Sequence, residues 1–196
     1  MSTLAIPSLV TPEEYLQAER KAQFKSEYVD GYVYAMSGAS TAHLIITGNT
    51  FAALHSQLKG GHCRPFVSDM RVRVSRRGPY YYPDIAVACK ARVEDEEEQD
   101  NLLNPRVVIE VLSPSTQRYD RTEKFARYRE MPSLEQYVLI AQDRIGVEHH
   151  ELHGAKWVFT LITDPQGVVD LPSIGARVKI ADIYEGVAFK TTRRRA

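Results

Sequence analysis

The run Arg106-Val107-Val108-Ile109-Glu110-Val111-Leu112 places one carboxylate in the middle of a Val/Ile/Leu stretch. Such a run predicts a strand covered on both faces. A carboxylate held there loses its water, at a cost of several kcal/mol unless it is neutralised, paired or bound to a cation. Glu110 therefore needs a partner, and the stretch upstream offers a second acid rather than a base. Tyr82-Pro83-Asp84-Ile85-Ala86-Val87-Ala88-Cys89 is another apolar run, with Pro83 at its start, where a strand tolerates proline.

If the two runs pair antiparallel, facing residue numbers have a constant sum. Setting 89 opposite 105 makes that sum 194, which Asp84 and Glu110 also satisfy. Two carboxylates in a dry site repel unless a proton or a metal ion lies between them. Oxygen ligands of this kind select Mg²⁺, Mn²⁺ or Ca²⁺. The competing reading is one exposed strand-end Asp plus one Glu paired with a nearby Arg.

The rest of the chain supplies elements around this pair. Thr11-Pro12-Glu13-Glu14 is a helix start with a capping box, for a helix over about 12–23. Asp30-Gly31 predicts a hairpin of strands near 25–29 and 32–36. A helix over 41–59 carries His43 in its first turn, and strands follow over 64–68 and 70–75. Alternation in the second sets Val72 and Val74 on one face and Arg71 and Arg73 on the other; Arg76 and Arg77 follow in the turn. Four arginines leading toward two acids suit phosphate contact, unless they are a solvated strand face. Beyond Glu110 come a helix over about 117–131, a core strand over 136–141, a hairpin within 143–164, a last strand near 177–180 and a short helix near 181–184. His149, His150 and His153 do not read as a metal site, because adjacent strand residues face opposite ways.

Twenty-five basic residues balance 25 acidic ones, which argues against nucleic-acid binding by bulk charge. Six of the acids lie in Glu94-Asp95-Glu96-Glu97-Glu98-Gln99-Asp100, read as a solvated connection; outside it, 25 basic residues face 19 acids. No apolar run approaches the roughly 20 residues that span a bilayer, and the N-terminus lacks signal-peptide character. Cys63 and Cys89, without CxxC spacing, read as packed thiols in a cytoplasmic chain. The basic tail, about 190–196, reads as disordered.

Pro83-Asp84, then Glu110-Val111-Leu112-Ser113-Pro114-Ser115-Thr116, then Asp120, Lys124 and Tyr128 resemble the Uma-type restriction-endonuclease family of the PD-(D/E)xK nuclease superfamily. The resemblance runs from about Thr11 to Leu139. It implies one α/β domain over 1–196 with a restriction-endonuclease-like mixed sheet flanked by helices. The core would lie over about 41–141, with an N-terminal helix-hairpin and C-terminal strands added. It further implies a Mg²⁺- or Mn²⁺-dependent endonuclease acting on DNA. Asp84, Glu110 and the Val111 carbonyl would hold the metal, Lys124 would act in catalysis, and Glu27, His43, Asp120 and Tyr128 would line the site. Arg71, Arg73, Arg76 and Arg77 remain the candidate DNA contacts. The sequence departs from the signature at Leu112, where the usual lysine would stand; Lys124, from the next helix, is the substitute. A nuclease fold that binds without cutting, and a hydrolase of small phosphate esters, compete with this reading. Double-strand cutting would favour a two-fold dimer, for which exposed faces of the 143–164 hairpin are the candidate interface.

Overall fold

A computed structural model describes residues 9–94 and 100–189. The acidic connection over 95–99 and the basic tail over 190–196 lie outside the described residues. In chain order the elements are α1 (Pro12–Glu19), β1 (Ser26–Val29), β2 (Tyr32–Ala35), α2 (Thr41–Leu58), β3 (Cys63–Val67), β4 (Arg71–Arg73), β5 (Tyr80–Tyr81), β6 (Ile85–Cys89), β7 (Val93–Glu94), β8 (Asn101–Leu102) and β9 (Val107–Leu112). Then come helix α3 (117–128), β10 (Gln136–Ala141), β11 (Val147–His153), β12 (Lys156–Ile162), β13 (Val168–Leu171), β14 (Ala176–Lys179) and a short terminal helix, Ile180–Ile183.

The strands divide between two six-stranded sheets, where the sequence suggested one. The first runs β2-β1-β5-β4-β8-β7 and the second β12-β11-β10-β9-β6-β3, with β13-β14 as a separate pair. The chain crosses from the first sheet to the second at Tyr82-Pro83-Asp84, between β5 and β6. Proline has no N–H to give a ladder, so the break between sheets falls where pairing is already lost.

Pairing of β6 with β9 follows the expected register: Ile85 faces Ile109, Ala86 faces Val108 and Val87 faces Val107. Strands β9 and β10 are parallel, with Glu110 beside Leu139, and α3 is the crossover that a parallel pair requires.

Alternation sorts the second sheet's side chains between two cores. Val107, Ile109 and Val111 pack with Ile46, Leu54 and Leu58 of α2 and with the C-terminal hairpin. Val108 and Leu112 face the other way, onto Phe125 and Tyr128 of α3 and onto Val72 and Tyr81 of the first sheet. Glu110 lies between Val108 and Leu112 and so shares the α3 face. A smaller core of Tyr15, Tyr28 and Tyr80 seats α1 on the first sheet.

Helix starts follow their capping residues. Thr11 and Glu14 form the capping box of α1, and Ser40 caps α2 by accepting from the His43 N–H at 3.1 Å. Cys63 and Cys89 form a disulfide, which corrects the reading as packed thiols. They are directly opposite in the antiparallel β3–β6 pair, a juxtaposition that spacing along the chain does not reveal.

Candidate active site

Four elements converge at one end of the second sheet. Asp84 enters from the crossing before β6, Glu110 from β9, His43 from the first turn of α2 and Lys124 from α3. Asp84 is fixed on both oxygens. Its Oδ1 lies 2.7 Å from His43 Nε2, and its Oδ2 accepts from the Val111 N–H at 2.7 Å. In an extended strand the N–H and C=O of one residue point to the same side. The Val111 carbonyl therefore lies on the β6 side of β9, as its N–H does.

Lys124 is 5% exposed. Its Nζ donates to Glu27 Oε1 at 2.9 Å and sits 2.9 Å from Glu110 Oε1. The second contact is an ion pair without hydrogen-bond direction, and Glu110 Oε1 is buried with no hydrogen bond. Glu27 Oε1 also accepts from the Tyr82 N–H at 3.1 Å, so β1 of the first sheet holds the crossing segment next to Asp84. The Tyr81 ring lies 5.2 Å from the Lys124 ammonium.

A π-helical turn over Asp120–Lys124 interrupts α3. Single π turns of this kind concentrate at functional sites. Both ends of the turn are buried, and the Tyr137 hydroxyl donates to the Asp120 carbonyl at 3.0 Å, tying the turn to β10. Tyr128 follows, fully buried, with a hydroxyl that has no hydrogen bond.

More carboxylates meet here than one ammonium neutralises. Burial pushes Glu110 well above the usual carboxylate range; Lys124 pulls it down, and Asp120, Asp84 and Glu27 push it further up. Asp120 is raised chiefly by burial, against the pull of Lys124. Burial pulls Lys124 down, but Glu110, Glu27 and Asp120 outweigh it and hold the ammonium well above the ordinary lysine value. Surplus negative charge of this kind takes up protons or a cation.

The donor set is of the kind a hard divalent ion takes: the carboxylates of Asp84 and Glu110, with Glu110 Oε1 making no hydrogen bond although it is ion-paired with Lys124. Among the described residues no three His, Cys, Asp or Glu side chains converge to enclose an ion.

Asp84, Glu110, Lys124, Glu27 and His43 are thus brought together, with Asp120 and Tyr128 behind them. Arg71 is not on a phosphate-facing surface. It is 2% exposed and donates to Asn101 Oδ1 at 2.7 Å, the Tyr82 hydroxyl at 3.0 Å and Asp100 Oδ2 at 2.5 Å. The reason is its place: β4 lies inside the first sheet, between β5 and β8, and Tyr15 of α1 covers the guanidinium at 5.8 Å. Arg73 is half-buried, whereas Arg76 and Arg77 are exposed in the turn before the cis Gly78-Pro79 bond. The Tyr81 ring and the Tyr82 N–H are site groups to which the sequence points only through the Tyr80-Tyr81-Tyr82 run directly before Pro83-Asp84.

The architecture, with its acid pair at one end of the second sheet, is restriction-endonuclease-like. The crystal structure of "a putative nuclease belonging to DUF820" from Anabaena variabilis ATCC 29413 matches 91% of this chain and 99% of its own, with a TM-score of 0.74 at 21% identity. The Uma2 family model, described as "Putative restriction endonuclease", matches residues 12–181, and the chain belongs to that family. Two proteins of Synechocystis sp. (strain ATCC 27184 / PCC 6803 / Kazusa) are similar. "Uncharacterized protein slr1290" is 35% identical over 92% of this chain and 94% of its own length. "Uncharacterized protein sll1609" is 35% identical over 82% of this chain and 91% of its own. Among the described residues no helix is long and apolar enough to cross a membrane.

Proposed function

We propose that this protein is a metal-dependent endonuclease that hydrolyses phosphodiester bonds in DNA. The observation that carries the reading is the buried ammonium of Lys124 set 2.9 Å from Glu110, on the sheet face where the signature lysine two residues after Glu110 would stand. Asp84, Glu110 and the Val111 carbonyl would hold Mg²⁺ or Mn²⁺. Such an ion polarises a phosphate oxygen and promotes loss of a proton from the attacking water.

The chain's own groups do the positioning. His43 and the Val111 N–H fix both oxygens of Asp84. Lys124, locked by Glu27, orients the attacking water and stabilises charge that grows on the phosphoryl oxygens. The water oxygen bonds to phosphorus as the bond to the leaving oxygen breaks; the proton lost by the water passes to solvent, and the leaving oxygen takes one from solvent. Arg73, Arg76 and Arg77 are the remaining phosphate contacts of the proposal.

The test is nicking of supercoiled plasmid by purified protein with Mg²⁺. Asp84→Ala and Glu110→Ala should each lower the rate about a hundredfold or more, with calorimetric Mg²⁺ binding lost in parallel. Equal nicking in wild type and both variants would trace the activity to a contaminant. One observation favours a second reading, a nuclease fold that binds nucleic acid without cutting: Lys124 is already paired with two carboxylates. DNA binding with no Mg²⁺ affinity and no nicking would decide for it.

A further inference from the structure

Strand β12 ends the second sheet and, among the described residues, pairs on one side only, with β11. An open strand edge presents a row of backbone donors and acceptors to any strand that reaches it. Among the described residues, the other edges of the two six-stranded sheets are shorter or interrupted. Strand β2 has four residues and β7 two, and β3 carries Pro65 at its centre. The seven residues of β12, Lys156-Trp157-Val158-Phe159-Thr160-Leu161-Ile162, contain no proline and a single charge at one end. Three of the strand's apolar side chains are open to water, Val158 at 46% exposed, Phe159 at 55% and Leu161 at 57%, while Trp157 and Ile162 are half-buried. A long, apolar and unguarded edge is a template for association.

We infer that β12 pairs antiparallel with β12 of a second copy, across a two-fold axis at Phe159. The strand is complementary to itself in this register, the one that pairs all seven residues. Phe159 meets its own copy, Trp157 faces Leu161, Val158 faces Thr160, and Lys156 faces Ile162, so no like charges oppose. Cross-strand aromatic and branched pairs of this kind stabilise a ladder. The faces also match. Trp157 and Phe159 belong to the α3 side, where Trp157 packs edge-on against Phe125 with ring centroids 5.2 Å apart and Phe159 meets His150 at 5.1 Å. Facing residues share parity, so the α3 sides of both copies lie on one face of a single twelve-stranded sheet. Both copies then present their sites on that common face, at opposite ends. A partner with a different exposed strand would supply hydrogen bonds but not this matched stripe. The pairing is independent of whether the chain cuts DNA.

Light scattering at micromolar concentration should give twice the 22.2 kDa chain mass, with a melting temperature that rises with protein concentration. Phe159→Lys with Leu161→Lys should give monomers with unchanged circular dichroism and a concentration-independent melting temperature. Under oxidation Phe159→Cys should form a covalent dimer. Val158→Cys alone should not, but mixed with Thr160→Cys it should cross-link. A wild-type monomer, a double-lysine variant that stays dimeric, or a dimeric Phe159→Cys protein that fails to cross-link would each overturn the inference.

Discussion

Lys124 has two duties that a single substitution mixes. It neutralises a carboxylate that folding has stripped of water, and it supplies the ammonium proposed for the chemistry. Removing one partner of a buried pair costs about 3–5 kcal/mol because the other charge is left uncompensated. Lys124→Met should therefore lower both plasmid nicking, by about a hundredfold, and stability to urea. Adding Glu110→Gln removes the more deeply buried of the two stranded charges, Glu27 keeping the other, so the double variant should regain part of the stability and none of the cleavage. Unfolding curves and nicking rates on the four proteins of this cycle would separate the two duties. A double variant as unstable as Lys124→Met would show that Glu110 is not what the lysine neutralises.

At the scale of elements, the π turn of α3 decides which side chains reach the sheet, and Tyr137 braces it through the Asp120 carbonyl. Tyr137→Phe leaves a buried carbonyl short of one donor, a loss of about 1 kcal/mol. We expect a matching fall in stability and a several-fold fall in nicking at saturating Mg²⁺, since Lys124 closes the same turn. Unchanged nicking would mean that the turn holds without the brace. The legible parts of the chain were those governed by local chemistry or by a conserved sum: the capped helices, the Asp30-Gly31 hairpin and the β6–β9 register that set Asp84 beside Glu110. Lys124, Glu27 and His43 were indicated by likeness to a family, because nothing in their local sequence says that three distant segments meet. Arg71 was misread for a related reason. Alternation gives the face on which it lies, but not that Tyr15 covers that face. The Cys63–Cys89 bond depended in the same way on knowing that β3 and β6 are neighbours.

For the molecule as a whole, a polar network far from the acids joins the second sheet to the C-terminal hairpin. Gln136 Nε2 lies 2.9 Å from His149 Nε2 and 3.2 Å from the Asp170 carbonyl, while its Oε1 accepts from Ser173 at 2.6 Å. The amide nitrogen can only donate, so His149 Nε2 accepts and the ring is neutral. Burial lowers its pKa from 6.5, against the opposing pull of Glu151 and Asp170. The unfolded chain therefore binds this proton first as pH falls. Stability should decline below pH 6.5 down to the folded value and change no further on this account. His150 is depressed as well, so His149→Gln should reduce that slope without abolishing it. Urea midpoints from pH 7.5 to 5 would show it, and identical slopes would place the acid sensitivity in other groups.

The ammonium between Glu27 and Glu110 spans two sheets that share no strand. A chain that has folded only one of them, while emerging from the ribosome or after local damage, owns either the acids of the second sheet or the Glu27 latch of the first. It cannot own both. If the proposed chemistry needs the latched lysine, competence arrives only once both sheets are in place, and an unfinished copy stays idle.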